Sequence, residues 1–340
     1  VSAPLELRSF RFGDPDSAAF ERVRDSLAEY RSLPAEPVAP GLECLLALRG
    51  GRPVGRASLC VAPELHGVAG GSGLIGHFEA HDPEAAQELL REARSTLAAR
   101  GVERVLAPMN GNSWGRYRLA LPGEEGATPA ATPFVGEPFN PPAYPMWFEA
   151  AGFTVAARYE SREDPAPHSV APDARELAER VARAGIRIRT LDPTNFTSEL
   201  RVLFELSLAA FADNLYYTPI GWQEFRTQLA KLQPIVRPEL VLIAENAAAR
   251  PVAFQFAYAD PLGAAVGTPR AIVKTVATLA EARGLGLAGH MLDLLRERAS
   301  GSGARSVIHA LMHVANFSMR MSSRHASRVF RRYALYEWRP

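Results

Sequence analysis

Apolar and polar residues alternate through Leu5, Glu6, Leu7 and Arg8, and again through Ile186, Arg187, Ile188 and Arg189. A period of two puts one set of side chains on one face, so each stretch predicts a half-buried strand. A turn follows each, Gly13-Asp14-Pro15-Asp16 in the first case and Asp192-Pro193 in the second. Beyond the turns the apolar positions recur every three or four residues, which predicts helices over residues 17–31 and 198–211. The correspondence continues. Apolar runs at 42–48 and 240–244 each lead through a turn to a second run opening Arg-Pro-Val, at Arg52-Pro53-Val54 and Arg250-Pro251-Val252. Both second runs close on a proline turn, Ala62-Pro63 and Asp260-Pro261. Residues 101–106 then lead to Met109-Asn110-Gly111-Asn112-Ser113, as residues 303–308 lead to residues 312–316. The chain reads as two copies of one plan: strand, helix, hairpin, strand, helix, strand, helix.

Between the copies, residues 163–173 are polar and rich in proline, which predicts an extended linker. The boundaries expected are a first domain at 1–162, the linker, and a second domain at 174–340, with a helical pattern at 174–184 that extends the linker or caps the second domain. A Gly/Pro-rich stretch at 122–145 predicts a long ordered loop anchored by Phe134, Phe139 and Tyr144. Length agrees, since 340 residues at about 150 per domain make two domains the default. With 47% apolar and 22% charged residues each copy can bury a core. Lys+Arg 38 against Asp+Glu 37 leaves a net charge of +1, which argues against nucleic acid or an anionic membrane as partner. The positive charge is almost all arginine; Lys231 and Lys274 are the only lysines, so Schiff-base or carbamate chemistry has two residues to draw on. Cys44 and Cys60 form no CxxC pair and read as buried free thiols. The N-terminal stretch carries charges where a signal peptide would be apolar, and no apolar run approaches the length of a membrane span. A soluble, cytoplasmic protein is the expectation.

Chemistry concentrates in the second copy. The β-branched run at 271–278 predicts a buried strand. Arg283-Gly284-Leu285-Gly286-Leu287-Ala288-Gly289 follows, and then a helix with Met291, Leu292, Leu294 and Leu295 on its apolar side. Strand, glycine loop and helix build an anion site, because glycines let backbone approach a phosphate and the first free N–H groups of the helix point at it. The glycine spacing fits neither the dinucleotide fingerprint nor the P-loop. In the first copy the corresponding strand, 74–80, runs into His81-Asp82-Pro83, an acidic helix cap where the second copy offers a cradle.

Arg283, Gly286 and Ala288 match the (Arg/Gln)-x-x-Gly-x-(Gly/Ala) signature of the GNAT acetyltransferase superfamily, and the strand before it, the helix after it and the strand at 306–314 ending near Asn316 resemble the family's order of motifs. The resemblance covers most of residues 186–340 and, more faintly, 5–162, so the chain is similar to tandem GNAT proteins. It implies an α/β fold, two GNAT-like domains each with a mostly antiparallel mixed sheet flanked by helices, and a splay between the fourth and fifth strands. It implies acetyl-CoA as co-substrate and no metal. The pantetheine arm would lie along Val276, Ala277 and Thr278, and the pyrophosphate on Arg283, Gly284, Leu285, Gly286, Leu287 and Ala288, near Asn316. The first copy, lacking the arginine and glycines, is expected to be degenerate.

Many family members protonate the leaving thiolate with a tyrosine about seven residues past the asparagine. Here that position is Ser323. Ser323, Ser318 or a water stands in for it, or Tyr333 or Tyr336 approaches from the last strand. His313 is the candidate base, because it lies near the end of the fifth strand and histidine titrates in the useful range. His309 lies about 13 Å away along a strand, too far to share a metal ion, and reads as a core histidine. Asp213, Tyr216 and Tyr217, in the loop where the family shapes its acceptor pocket, would suit a small amine with an apolar body. Glu79, with Asn110, Asn112 and Trp114, is a candidate cleft residue in the first copy. The function expected is N-acetyl transfer to a small-molecule amine by direct attack in a ternary complex, in a monomer or homodimer. The actinobacterial look of the composition suggests specialised metabolism such as antibiotic biosynthesis. The alternative is a non-catalytic acyl-CoA-binding scaffold, motivated by the missing tyrosine.

Overall fold

The structure, a computed structural model, describes residues 3–27, 33, 36–62, 64–123, 132–230 and 232–340. The first copy runs β1 (Leu5–Arg11), α1 (Ser17–Asp25), a hairpin of β2 (Glu43–Arg49) and β3 (Arg52–Val61), β4 (Ser72–Ala80), α2 (Pro83–Ala98), β5 (Arg104–Ala107), the short β6 (Leu119–Ala120), α3 (Tyr144–Ala150) and β7 (Thr154–Asp164). The second runs α4 (Ala174–Arg183), β8 (Arg187–Thr190), α5 (Phe196–Phe211), α6 (Trp222–Ala230), a hairpin of β9 (Val241–Glu245) and β10 (Pro251–Ala259), α7 (Pro261–Ala265), β11 (Arg270–Thr278), α8 (Leu287–Gly301), β12 (Ser306–His313), α9 (Phe317–Ser323) and β13 (Arg328–Trp338).

Asp82 caps α2 as expected, accepting from Ala85 N at 3.0 Å, with Pro83 in the first turn. Asp260-Pro261, expected as a turn, begins the short α7, with Asp260 accepting from Gly263 N at 3.0 Å. The first helix ends at Asp25, earlier than its apolar spacing predicts. Residues 28–31 of that expected helix, Pro63 of the first proline turn, and 124–131 of the expected loop lie outside the described residues. Phe134 and Tyr144 do anchor that loop, but in different halves: Phe134 packs in the core beneath α5 and Tyr144 in the core beneath α2. Cys44 is buried and Cys60 half-buried, and burial pushes their thiols up to about 12 and about 11, so neither is reactive. Among the described residues no helix is long and apolar enough to cross a membrane.

Among the described residues the strands join one mixed sheet in the order β1-β2-β3-β4-β5-β13-β7-β12-β11-β10-β9-β8, with β6 beside β13. Only β4 with β5 and β11 with β12 run parallel. The last strand of each copy is exchanged. β13 lies between β5 and β7, and β7 lies between β13 and β12. The stretch expected as an extended linker begins inside β7, whose final residue, Asp164, is buried against Arg296 of α8 with Nε–Oδ2 at 2.5 Å. Arg296 also donates to Ala166 O and Ser169 O, at 3.0 and 2.9 Å, so the connection is strapped to the helix. Helix α4 then packs on α8 and places Leu177 over the glycine loop.

Both parallel pairs part soon after they form. β4 pairs with β5 only through Ser72–Leu74, and β11 pairs with β12 only from Arg270 to Val273. Each splayed strand also carries a bulge against its hairpin neighbour. On β11, Val273 faces Ala257 and Thr275 faces Phe256, leaving Lys274 unmatched. On β4, Gly76 faces Ser58 and Glu79 faces Arg56, so His77 and Phe78 share one opposing residue, and His77 takes a φ of 46°. A bulge re-aims side chains and ends the simple in-out alternation.

Candidate functional site

In the second half, β11 and β12 separate beyond Val273 and His309, leaving one edge of β11 unpaired along residues 274–278. The strand ends at the glycine loop, where Gly284 and Gly286 both adopt left-handed backbone, with φ of 81° and 76°. Such φ values disfavour side chains. At Gly286 a Cβ would also lie 2.5 Å from Leu177 Cδ2. No side chain caps α8, so its first N–H groups are available to an anion. Arg283 is exposed beside the loop, its Nε donating to Thr278 O at 3.3 Å. These features fit a CoA thioester: a free strand edge for amides, then a glycine turn and uncapped helix for a pyrophosphate.

The first half has the same wedge, and its own chain fills it. Met109 N donates to Ile75 O at 2.8 Å, and His77 N donates to Asn110 Oδ1 at 2.7 Å. A Cβ on Gly76 would lie 2.7 Å from Met109 O, so the strand there is already in backbone contact. Asp82, at the cap of α2, is paired with Arg49 at 2.6 Å. Among the described residues this edge of β4 is thus occupied at Ile75 and His77, and the cap of α2 carries a paired carboxylate.

A cavity of about 1510 Å³ lies where the two halves meet. One wall is the open wedge, with Lys274, Thr275 and Val276 from β11 and Ala310 to His313 from β12. The opposite wall comes from the first half, with His77, Asn110, Asn112, Trp114 and the run Arg116 to Arg118. Helices α5 and α6 close one end, with Leu203, Phe211, Phe225 and Leu229 among the polar Ser207, Gln223, Glu224, Thr227 and Gln228. The loop at 213–217 is tied across the seam: Tyr216 N donates to His66 O at 2.9 Å, His66 N to Tyr217 O at 3.0 Å, and Trp114 Nε1 to Thr218 O at 2.8 Å.

Arg118 organises the polar centre. Its guanidinium lies between the rings of Tyr117 and Tyr159, 3.8 and 3.9 Å from their centroids, and donates to Leu311 O at 3.1 Å. Stacking between two rings holds a planar cation in place. Tyr159 meets His313 edge to face at 5.1 Å. His313 Nδ1 accepts from Ala315 N at 3.2 Å, which places the proton of the neutral ring on Nε2 and makes that nitrogen a donor. Burial, then the charge of Arg118, lower the His313 pKa and keep the ring neutral. Glu36 accepts from Asn110 Nδ2 and, at 3.0 Å, from Arg116 N.

The sequence-derived candidates divide accordingly. His313, Asn316, Val276, Asp213 and Tyr217 line the cavity. Ala277 is buried in the core beneath α5, and Thr278, Arg283, Gly284, Leu285, Gly286, Leu287 and Ala288 lie beyond the cavity's end, along the strand edge and loop. Tyr216 packs into the core under the first half with a φ of 64°. Ser323 is exposed on the far side of α9, donating to Arg320 O at 2.9 Å, and is outside the cavity; Ser318 is inside it. Tyr336 is carried away by the strand exchange: it packs in the first half's core and donates to Glu149 at 3.3 Å. Tyr333 is buried on Glu137 and Ser161. Glu79 keeps the face it was expected to share with His77, that of Arg56 and Ser58, but is buried outside the cavity and accepts from Tyr144 at 2.9 Å. Asn110, Asn112 and Trp114 reach the cavity without it. His309 is buried, its Nδ1 2.6 Å from Ser322 Oγ, and burial brings it down to about 3. Arg118, Tyr159, Glu36 and Lys274 were not singled out as site residues. For Lys274 a signal existed, a lone cation inside a β-branched strand.

No family model matches the chain. A bacterial ceramide synthase from Caulobacter vibrioides is 27% identical over 208 residues, 60% of this chain and 53% of that protein. The chain thus spans about half the length of the curated relative it matches. Among solved structures, the GCN5-related glucosamine N-acetyltransferase region of a fungal multi-domain GH3 β-N-acetylglucosaminidase superposes with a TM-score of 0.63 at 11% identity, covering 99% of this chain and 38% of that one. A tandem GNAT protein from the clavulanic acid biosynthesis pathway superposes with a TM-score of 0.54 at 15% identity, covering 98% of both chains. With two copies of the plan, a wedge in each and a superposition that runs the length of both chains, this protein has the tandem GNAT fold.

Proposed function

We propose that the protein is a CoA-dependent N-acyltransferase that moves an acyl group from a thioester to the amine of a small molecule within a ternary complex. The observation that carries this is the contrast between the wedges. The second half keeps β11 unpaired beyond Val273 and follows it with a left-handed glycine loop and an uncapped helix, while the first half's wedge is closed by Met109 and Asn110. One donor site per chain follows, opening onto a cavity the halves share. The thiol of CoA leaves readily, so holding the amine against the thioester supplies much of the rate. His313 Nε2 and the N–H groups of the wedge suit the carbonyl oxygen as it gains charge.

Acetyl-CoA is the smallest donor that fits. The cavity supports a larger pair, because about 1510 Å³ exceeds the roughly 300–1,000 Å³ of ordinary ligand pockets and Leu203, Phe211, Phe225 and Leu229 give part of its wall an apolar surface. The ceramide synthase relative points the same way, since a ceramide is the amide of a fatty acid and a long-chain amine. An acceptor with an apolar body and a primary amine, met by Tyr217 and Asp213, is the class proposed. A site reached in the cytoplasm, and a role in specialised metabolism, complete the reading.

Two measurements test it. Calorimetry with CoA is expected to give one site per chain, and two sites would overturn the closed first half. Thiol release from acetyl-, octanoyl- and hexadecanoyl-CoA, with and without dodecylamine, is expected to depend on the amine and to favour the longer chains. The exposed position of Ser323, where relatives carry an acid, favours a scaffold as the second reading. Tight CoA binding with no amine-dependent release on any donor would establish that reading instead.

A further inference from the structure

Lys274 occupies the unmatched position of the β11 bulge, one residue past the point where β11 and β12 part. Its neighbours show what the bulge does. Ala271, Val273 and Val276 all face the core beneath α8, whereas Ile272 and Ala277 face the core beneath α5. The parity of the strand therefore reverses across residues 274 and 275, and both side chains turn into the cavity. A lysine would otherwise be out of place in this strand, because a charge without a partner is costly among apolar neighbours. Among the described residues Lys274 makes no hydrogen bond and no ion pair. A Cβ on Gly136 of the loop that caps the cavity would lie 3.9 Å from its Nζ. The side chain is thus exposed within the cavity, its amine beside the loop at Gly136 and free of any structural duty. Lys231 is the chain's only other lysine.

From this placement we propose that Lys274 is the general base of the transfer, taking the proton from the attacking amine at the mouth of the wedge. The inference rests on the acyl-transfer reading above. The acceptor nitrogen bonds to the thioester carbonyl carbon, and its proton passes to the lone pair of neutral Nζ. The C–S bond then breaks, sulfur leaves with the electron pair, and the Lys274 ammonium returns the proton to the thiolate. Amine and thioester become amide and thiol, and the lysine ends as it began. This also accounts for the missing acid at Ser323, because one group on the wedge serves both transfers.

The charges around the amine suit the role. Arg118 faces it from the first half, and burial together with that cation lowers the lysine's pKa, against a smaller opposing effect of Glu36. Arg116 is a further cation on the cavity wall, and His77, held by Ser58, is neutral. Glu137 is held by Arg331 and Tyr333, His309 by Ser322, and His313 is neutral. Asp213 and Glu224 stand at the acceptor end.

Because the chain has two lysines, reductive methylation with ¹³C-formaldehyde followed by NMR gives two side-chain signals, assigned with Lys274→Arg. The Lys274 signal is expected to titrate below ordinary lysine and to move when desulfo-CoA binds, while the Lys231 signal does not move. In parallel, Lys274→Arg and Lys274→Met are expected to bind CoA as the parent does, yet to transfer octanoyl groups to dodecylamine at least about 100-fold more slowly. Both should lose the rise of kcat with pH. Arginine stays protonated and can accept no proton, so an active Lys274→Arg variant overturns the proposal, as does a lysine that titrates normally. Absence of CoA binding in the parent protein would overturn the acyl-transfer reading, and this proposal with it.

Discussion

Burial sets the pH behaviour of several single residues. His309 and His77 are brought down to about 3, and His325 to about 4, chiefly by loss of water. Each is neutral in the folded protein and takes up a proton near 6.5 once unfolded. The stability they contribute is therefore complete above pH 6.5 and is lost as pH falls through that value toward 4, at up to about 1.4 kcal/mol per pH unit for each. Urea unfolding across pH 4 to 7.5 is expected to show this slope, and His309→Gln to flatten it; equal slopes would refute the assignment. At this scale the sequence was informative where a residue type has one use. The two glycines of the loop carry left-handed φ as their motif implied. It misled at Glu79, which shares the face of His77 and is nonetheless buried on Tyr144 and Arg56, away from the cavity.

Among the elements, α8 shows how a helix end and a helix flank serve different purposes. Its N-terminus is open, and its flank carries Arg296, buried against Asp164 with both side chains at most 2% exposed. Removing one partner of such a pair strands a buried charge, so Arg296→Met is expected to cost about 3–5 kcal/mol in chemical denaturation. Adding Asp164→Leu should recover most of that loss, and failure to recover it would mean that the bonds from Arg296 to Ala166 and Ser169 matter more than the ion pair. The apolar periodicity and β-branched runs made most strands and helices legible within a few residues. Helix α6, Trp222–Ala230, was not, since about two and a half turns give little period to read.

For the whole molecule, the exchange of β7 and β13 makes a single sheet from two copies. Each half takes a central strand from the other, so neither can open without breaking pairs in its neighbour. Calorimetry is expected to give one cooperative unfolding transition, and two resolved transitions would show that the halves melt independently despite the shared strands. The same exchange explains where Tyr336 goes, since a residue at the end of β13 is delivered to the first half's core. What the amino-acid sequence determined by itself was local: the two copies, their strands and helices, the glycine loop and the acidic cap that replaces it in the first copy, because periodicity, turn chemistry and backbone freedom are properties of neighbours along the chain. Only the tertiary structure decided which strand pairs with which, that a cavity of about 1510 Å³ lies across the seam, and that Lys274, Arg118, Tyr159 and His313 share it. Those outcomes depend on contacts between residues far apart in sequence, and on the bulge in β11 that brings Lys274 and Thr275 into one cavity.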